Sequence, residues 1–400
     1  MGKSRVPEIR FCGFTDDWEQ RNLKDVADIY DGTHQTPEYT QSGVKFISVE
    51  NIKDINRSKK FISKKDYKEQ FKIKPQINDI FMTRITAGVI GETALLTENT
   101  DLAYYVSLAL IRSQRINPLF LEKYIGSSQF KNELNKKIIH TAFPKKINLG
   151  DIGECKVSSP ICDSEQKKLG IFLITLDNTI TLHKQELDLL KQMKQGFLQK
   201  MFPKDGESVP EIRFPGYTDE WEQCKLGEVA KYRNGKAHEN NISEQGKYLV
   251  VNSKFVSTDG EVYKYSDKQI EPLYQNEIAF VLSDVPNGRA IARTYLIEKD
   301  DKYTLNQRIA GITPNENVCP YFLHILMNRN KYFLQFDDGV KQTNLSINDV
   351  IEFEEYYPSE SEQHKIGVYF EHLDNLITLH QQELDLLKQT KKAFIQKMLI

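Results

Sequence analysis

The 400-residue chain contains five cysteines and no C-x-x-C pair. Cys12, Cys155, Cys162, Cys224 and Cys319 are scattered and odd in number, which argues against a disulfide framework and a cysteine zinc site. Long apolar runs are missing too. IFLITL at Ile171–Leu176 is among the longest, far short of the roughly 18 residues a membrane-spanning helix needs. The opening MGKSRVPEIRF lacks the apolar stretch of a secretory signal. A soluble, cytoplasmic protein with no membrane partner is the expectation. The motifs of common catalysts are equally scarce. There is no G-x-x-x-x-G-K-[ST] phosphate loop, no strand–G-x-G-x-x-G–helix unit, no H-E-x-x-H, no G-x-S-x-G and no Cys/His grid. GVIGE at Gly88–Glu92 does not have the nucleotide-loop spacing. A catalytic site and a bound metal are therefore not expected in this chain.

What is present is an internal repeat. VPEIRFCGFTDDW at Val6–Trp18 returns as VPEIRFPGYTDEW at Val209–Trp221, with 10 of 13 positions identical. LDNTITLHKQELDLLKQMKQGFLQKMF at Leu176–Phe202 returns as LDNLITLHQQELDLLKQTKKAFIQKML at Leu373–Leu399, with 20 of 27 identical. SEQ precedes both copies, at Ser164–Gln166 and Ser361–Gln363. Between these blocks little aligns. Similar frames thus enclose dissimilar inserts, which a solenoid of short repeats would not do.

The shared blocks carry a seam. Leu173, Leu176, Ile180, His183, Leu187, Leu190, Lys194, Phe197 and Met201 follow strict 3-4 spacing. Phe370, Leu373, Ile377, His380, Leu384, Leu387, Lys391, Phe394 and Met398 repeat it. A heptad stripe sustained for about four heptads predicts a long coiled-coil helix in each half. Ser164 and Ser361 are the expected N-caps, and Pro203 ends the first helix. His183 and His380 read as polar seam positions that fix register rather than as metal ligands, and Lys194 and Lys391 as side chains snorkelling out of the seam. Two near-identical seams on one chain are natural partners; the connecting domain permits parallel and antiparallel arrangements, and a pseudo-twofold relation favours the antiparallel one.

The expected organisation has four segments: 1–160 and 206–358 as α+β domains, each opened by the repeated segment, and 161–205 and 359–400 as conserved helices. Lys45–Ile52, Asp79–Ile85 and Ser107–Ser113 read as strands in the first domain, with Pro118–Ile138 helical. In the second, Lys247–Val256, Asn276–Leu282 and Arg289–Ile297 read as strands, with Pro320–Phe336 helical. The charge is uneven: about +5 over residues 1–160 and about −6 over 209–358. Arg57–Lys74 and Lys136–Lys146 are locally basic, the pattern of a solvated face or of phosphate contacts.

The frame resembles the specificity subunit of type I restriction-modification systems. The resemblance rests on the VPEIRFPGYTDEW opening and the SEQ…LDN.ITLH.QELDLLKQ helix of each half, and spans essentially the whole chain. DGTHQTP at Asp31–Pro37, TRITAGVIGETALL at Thr83–Leu96, LNQRI at Leu305–Ile309 and TNLSINDV at Thr343–Val350 are also of that family's type. The resemblance implies a non-catalytic reader of double-stranded DNA. Each recognition domain would read half of an asymmetric bipartite site, and the helices would set the unread spacer and dock two modification subunits. Those subunits would bind S-adenosylmethionine, and restriction subunits would bring ATP and Mg, leaving this chain without a cofactor. Two half-sites on one face of the duplex would centre about 10 bp apart.

Base edges demand paired donors and acceptors, and phosphates demand donors. Candidate DNA contacts are Thr33, His34 and Thr36 in a polar turn, Arg84 and Thr86 after a strand, and Lys145 and Lys146 in a closing loop. In the second domain Lys254, Ser283, Asp284, Asn287 and Arg289 take equivalent strand ends, and Lys341, Gln342 and Thr343 the equivalent closing loop. Each has a plainer reading: an ordinary turn for Thr33–Thr36, a carboxylate partner for Arg84, a turn cap for Asp284. Two other readings of the chain compete. One is a coiled-coil scaffold presenting two protein-binding domains. The other is an enzyme with a dispersed active site, such as a fused modification-restriction protein, which the missing cofactor motifs disfavour.

Overall fold

The computed structural model describes residues 6–204 and 206–400. The chain forms two compact units whose boundaries fall inside the long helices. One runs up to Gln185 and takes back Gln381–Ile400, and the other is Glu186–His380.

In the first unit a four-stranded antiparallel sheet has the order Ala27–Asp31, Leu108–Ser113, Ile80–Thr83, Thr93–Leu95. Ile80–Thr83 is buried along its whole length because both faces of the sheet are covered. Ile80 and Met82 meet Phe120, Phe130, Leu169 and Leu173 on one side. Phe81 meets Tyr104, Leu108 and Ile47 on the other, where the three-stranded sheet Phe61–Ile62, Val44–Ile47, Leu102–Tyr104 closes the core. The second unit repeats the plan. Ala230–Asn234, Ile309–Pro314, Ile278–Val281 and Thr294–Leu296 form its antiparallel sheet. Tyr265–Ser266, Tyr248–Val251, Tyr303–Leu305 and Pro272–Leu273 form the smaller one. A short pair closes each domain at its ends: Glu19–Asn22 with Lys156–Ser159, and Glu222–Lys225 with Glu354–Tyr357.

Several expected elements are shorter or broken. The helix expected over Pro118–Ile138 stops at Ile125 and restarts at Ser128, because the buried Ser127 side chain accepts from Phe130 N and caps a new helix. Ser253–Val256, expected as strand, belongs to a short helix, Ser253–Ser257, because the Asn252 side chain caps it. Arg289–Arg293 is loop, and only Thr294–Leu296 of that run pairs as strand.

The repeated motifs lock to each other. Arg10 of the opening segment forms a two-pronged ion pair with Glu165 of SEQ, at 2.6 and 2.8 Å. Arg213 does the same with Glu362, at 2.8 and 2.7 Å. Both carboxylates are 1% exposed. The next residue, Gln166, accepts from Asn117 N and donates to Pro160 O, while Gln363 accepts from Cys319 N and donates to Pro358 O. The helices approach their domains closely one turn further on: a Cβ on Gly170 would meet Leu119 at 2.7 Å, and one on Gly367 would meet the Cys319 sulfur at 2.8 Å. Trp18 packs edge-on to Phe120 and Trp221 to Phe322.

The long helices span Asp163–Lys200 and Glu360–Met398. Each starts just before the serine expected to cap it. The residues accepting the first amide hydrogen bonds are Cys162 and Ser359, so Ser164 and Ser361 lie inside the first turn. In the first unit Phe172 meets Phe394 at 5.0 Å, and Asp177 pairs with Lys391. In the second, Phe197 meets Tyr369 at 5.3 Å and Lys194 meets Asp374 at 2.5 Å. Within each unit rising numbers on one helix meet falling numbers on the other, so the helices are antiparallel. Leu187 and Leu384 are buried, and Leu176, Ile180, His183, Leu190, Phe197, Ile377, His380, Leu387 and Phe394 are half-buried, with Leu373 buried. His183 faces Glu383 at 3.8 Å in the first unit, and His380 faces Glu186 at 3.9 Å in the second. Lys194 and Lys391 do not snorkel to water; a carboxylate on the opposing helix holds each of them. Burial raises the Asp177 carboxyl, but hydrogen bonds from Lys123 and Lys391 leave it below the ordinary carboxylate range.

The opening segments also seal helix ends. Ile9 N donates to Lys397 O, and Lys397 pairs with Glu8. Ile212 N donates to Lys200 O, and Lys200 pairs with Glu211. The first opening segment therefore packs on the end of the second long helix, 389 residues away in sequence.

Candidate nucleic-acid interface

In the first unit the chain leaves the central sheet at Thr83 and forms a short ribbon. Thr86 stands opposite Lys145 and Ile85 opposite Lys146, and Ile147 N continues the ladder to Arg84 O at 3.0 Å. The sequence candidates Arg84, Thr86, Lys145 and Lys146 thus come together from segments some 60 residues apart. Both lysines are exposed. Thr86 is half-buried, and its hydroxyl accepts from Gly88 N, shaping the turn that follows.

Arg84 does something other than reach for a guanine. It is 7% exposed and donates to Val106 O at 2.9 Å, Ile147 O at 3.2 Å and the Asp31 carboxylate at 3.0 and 3.2 Å. Its fork ties three loops together from inside, so a base edge cannot use it. Asp31 also holds His34 at 2.7 Å, and Tyr104 donates to Asp31 O at 3.0 Å. Burial pushes the Tyr104 phenol well up, so it remains a donor. Thr33 bridges to Tyr105, with Thr33 N donating to Tyr104 O, which leaves the exposed His34 and Thr36 at the rim of the same assembly.

The second unit has the corresponding ribbon. Ser283 stands opposite Asn344 and Asp284 opposite Thr343, and Leu345 N donates to Leu282 O at 2.8 Å. This register pairs Lys145 with Thr343 and Lys146 with Asn344 as corresponding positions. Gln342 therefore lies one step, and Lys341 two steps, outside the place expected for the closing-loop contacts. Ser283 and Thr343 are buried, and Gln342 donates to the Ser283 hydroxyl at 2.7 Å. Asp284 is committed to a turn: its carboxylate accepts from Val285 N, Ala290 N and Ile291 N, at 2.8, 2.6 and 3.1 Å. It is a loop organiser rather than an acceptor for a cytosine amine. Asn287 donates to Gly339 O at 3.2 Å and ties the two loops, while Arg289 and Lys341 are exposed. Lys254 lies apart from the ribbon, in a shallow recess with Lys264, Asn306 and Arg308. That recess adjoins the ribbon's root, because Leu282 N donates to Arg308 O.

Charge separates the two ribbons. From Leu134 to Gly150 the first domain carries four lysines, Lys136, Lys137, Lys145 and Lys146, and no carboxylate. The second closing loop carries Asp337 and Asp338, and amides of Lys341 and Val340 hold Asp338 below the usual carboxylate range. The first ribbon suits phosphates, and the second suits polar contacts of the base-edge kind. Sequence reasoning missed Asn344, which follows Thr343 in the TNLSINDV run, and Arg308, which sits inside LNQRI.

The model of the type I restriction modification DNA specificity domain matches residues 15–192 and again 218–389. The putative type I restriction enzyme MjaX specificity subunit of Methanocaldococcus jannaschii is 22% identical over 99% of this chain and 95% of its own length. The MjaVIII specificity subunit of the same organism is 27% identical over 48% of this chain and 46% of its own. Among solved structures, the S subunit of a type I restriction-modification system from M. genitalium superposes with a TM-score of 0.67, at 14% identity, covering 99% of both chains. A chain from a study of type I system assembly and conformational transition gives 0.50 at 15% identity, covering 95% of this chain and 97% of that one. With two copies of the family's domain filling most of its length, this chain belongs to the type I restriction-modification DNA specificity family.

Proposed function

We propose that this chain is the DNA-sequence-specificity subunit of a type I restriction-modification complex, with each domain reading one half of an asymmetric bipartite site. The carrying observation is that two domains with one plan present ribbons of different chemistry at the same place. Lys145, Lys146 and Thr86 stand on one, and Asn344 on the other, with Gln342 and Asn287 in the adjoining loops. A shared frame with unlike reading edges is what an asymmetric target requires.

The chain itself supplies recognition and no bond-making chemistry in this reading. Methyl transfer from S-adenosylmethionine belongs to two modification subunits, and ATP and Mg belong to restriction subunits that join through the complex, in the cytoplasm of the cell. The long helices offer the docking surface. Ile171, Leu182 and Leu386 are exposed in the first unit, and Leu189, Met193, Val368 and Leu379 in the second. Leu182 and Leu379 share one repeat position, and Leu189 and Leu386 another. Exposed apolar side chains repeated on helices fit a partner bound twice. Among the described residues no helix is long and apolar enough to cross a membrane.

Methylation-sensitive sequencing of DNA from cells expressing the full chain with its modification subunit tests the reading. The expected result is one bipartite, asymmetric methylated motif with a fixed gap. No motif with a competent modification subunit overturns it.

A further inference from the structure

The two most exposed large apolar side chains among the described residues are Phe143 and Val340, at 92% and 77%. They occupy corresponding loops, each feeding the closing strand of its unit's ribbon. In the first unit Ile139 pairs back to Lys146, so residues 140–145 form a hairpin loop with Phe143 near its tip. In the second, Asp337 accepts from Gly339 N, and Asp338 accepts from Val340 N and Lys341 N, which fixes the turn and holds Val340 outward. A single exposed apolar residue is ordinary. Phe143 differs in being two residues before the paired Lys145 in a loop without carboxylates, whereas Val340 lies three residues before Thr343 and beside Asp337 and Asp338. Leaving a phenylalanine in water forgoes about 2 kcal/mol of burial, which contact with a partner would recover.

The first hairpin is flanked by Lys136, Lys137, Lys145 and Lys146 with no carboxylate between Leu134 and Gly150. A polyanion is the complementary surface. On a duplex the lysines meet phosphates, and a tip projecting past them reaches the groove floor. There the thymine 5-methyl group is the one apolar feature of the major-groove edge. We propose that Phe143 is a specificity-determining residue that contacts a thymine methyl in the first half-site. This inference rests on the DNA-reading function proposed above, and it makes a thymine a preferred base in the first half-site.

The test uses the full chain with its modification subunits. Motifs are read by methylation sequencing for the wild type, Phe143→Ala, Phe143→Leu and Val340→Ala. The wild-type complex and each variant are then titrated with duplexes carrying the wild-type motif, with each half-site thymine replaced in turn by uracil, which lacks only the methyl. One replacement in the first half-site is expected to weaken wild-type binding about fourfold, the worth of one buried methyl. It should have no further effect on Phe143→Ala, while Phe143→Leu keeps part of the dependence. Val340→Ala, a control in the other unit, should leave the thymine dependence of the first half-site unchanged. If Phe143→Ala keeps the full motif and undiminished sensitivity to uracil, the assignment is overturned. A wild-type complex that yields no motif overturns the DNA-reading function itself, a result distinct from a motif that is read with Phe143 idle.

Discussion

Arg84 and Asp31 face each other at 3.0 Å, one following the central strand and the other ending the edge strand of the first sheet. Through this pair the loop bearing His34, the turn at Val106 and the closing strand at Ile147 become one body. Corresponding positions in the second unit carry Leu282 and Asn234, and that unit holds its loops through Asp284 and Asn287 instead. The two domains therefore brace a similar ribbon by different chemistry.

Arg84→Ala should destabilise the first unit by about 2–4 kcal/mol, because it strands a partly buried carboxylate and two carbonyls. Thermal melting of the full chain checks this. Arg84→Lys should recover little, since one ammonium cannot fork across three acceptors. An unchanged melting temperature for Arg84→Ala would return the arginine to the list of base readers.

Lys145→Ala and Lys146→Ala should behave in the opposite way. Both side chains are exposed, so melting should shift by less than about 0.5 kcal/mol. Affinity for the target duplex should fall, and the slope of log K against log salt should decrease by about 1 for each lysine. Fluorescence anisotropy over a salt series measures both quantities.

Glu165→Gln and Glu362→Gln should cost similar amounts, about 3 kcal/mol each, because each removes the charge that faces a largely buried arginine. Two-probe unfolding would read the effects separately, with Trp18 reporting the first unit and Trp221 the second. Unequal losses would show that the repeated lock has drifted in importance between the copies.

The pH dependence of the second unit should carry the signature of His324. Burial, with Lys194 adding to it, lowers this imidazole to about 4 from an ordinary 6.5, against an opposing pull from Asp374. Between those values the unfolded chain binds more protons than the folded one. Stability is therefore full above about pH 6.5 and falls as pH drops toward 4. With the ring half-buried the loss should be about 2 kcal/mol. Melting curves from pH 7.5 to 4.5 would show it, and His324→Gln should flatten the dependence.

Exchange of residues 23–160 for the matching segment of another family member should change one half of the methylated motif and leave the other half and the gap intact. Sequencing of the methylated DNA reads all three. A change in both halves would mean that the domains do not read independently.

Much of the architecture was legible because it is written twice. Val6–Trp18 and the SEQ-led helices recur almost unchanged, and heptad spacing alone marks Leu187 and Leu384 as inward-facing. Such patterns are local and periodic, so a linear reading detects them. The candidate site was legible only in part. Polarity next to strand ends singles out Lys145, Lys146 and Thr86 as candidates, and the fold brings them onto one ribbon. Arg84 and Asp284 look the same in sequence but are spent inside the fold, because partners at Asp31, Ile147, Ala290 and Ile291 decide whether a charged group has donors or acceptors to spare.

By itself the sequence determined that the chain is a doubled frame around unlike domains, that its helices are long and seamed, and that its first domain is basic where a closing loop lies. Periodicity, repetition and charge are properties of the order of residues, and folding does not alter them. Only the tertiary structure decided that Arg10 locks to Glu165, that Ile9 seals a helix end at Lys397, and that Lys194 and Lys391 pair across the seam instead of reaching water. Each of these joins groups far apart in the chain, and their meeting depends on how the sheets and helices pack within each unit rather than on anything within a few residues of either partner.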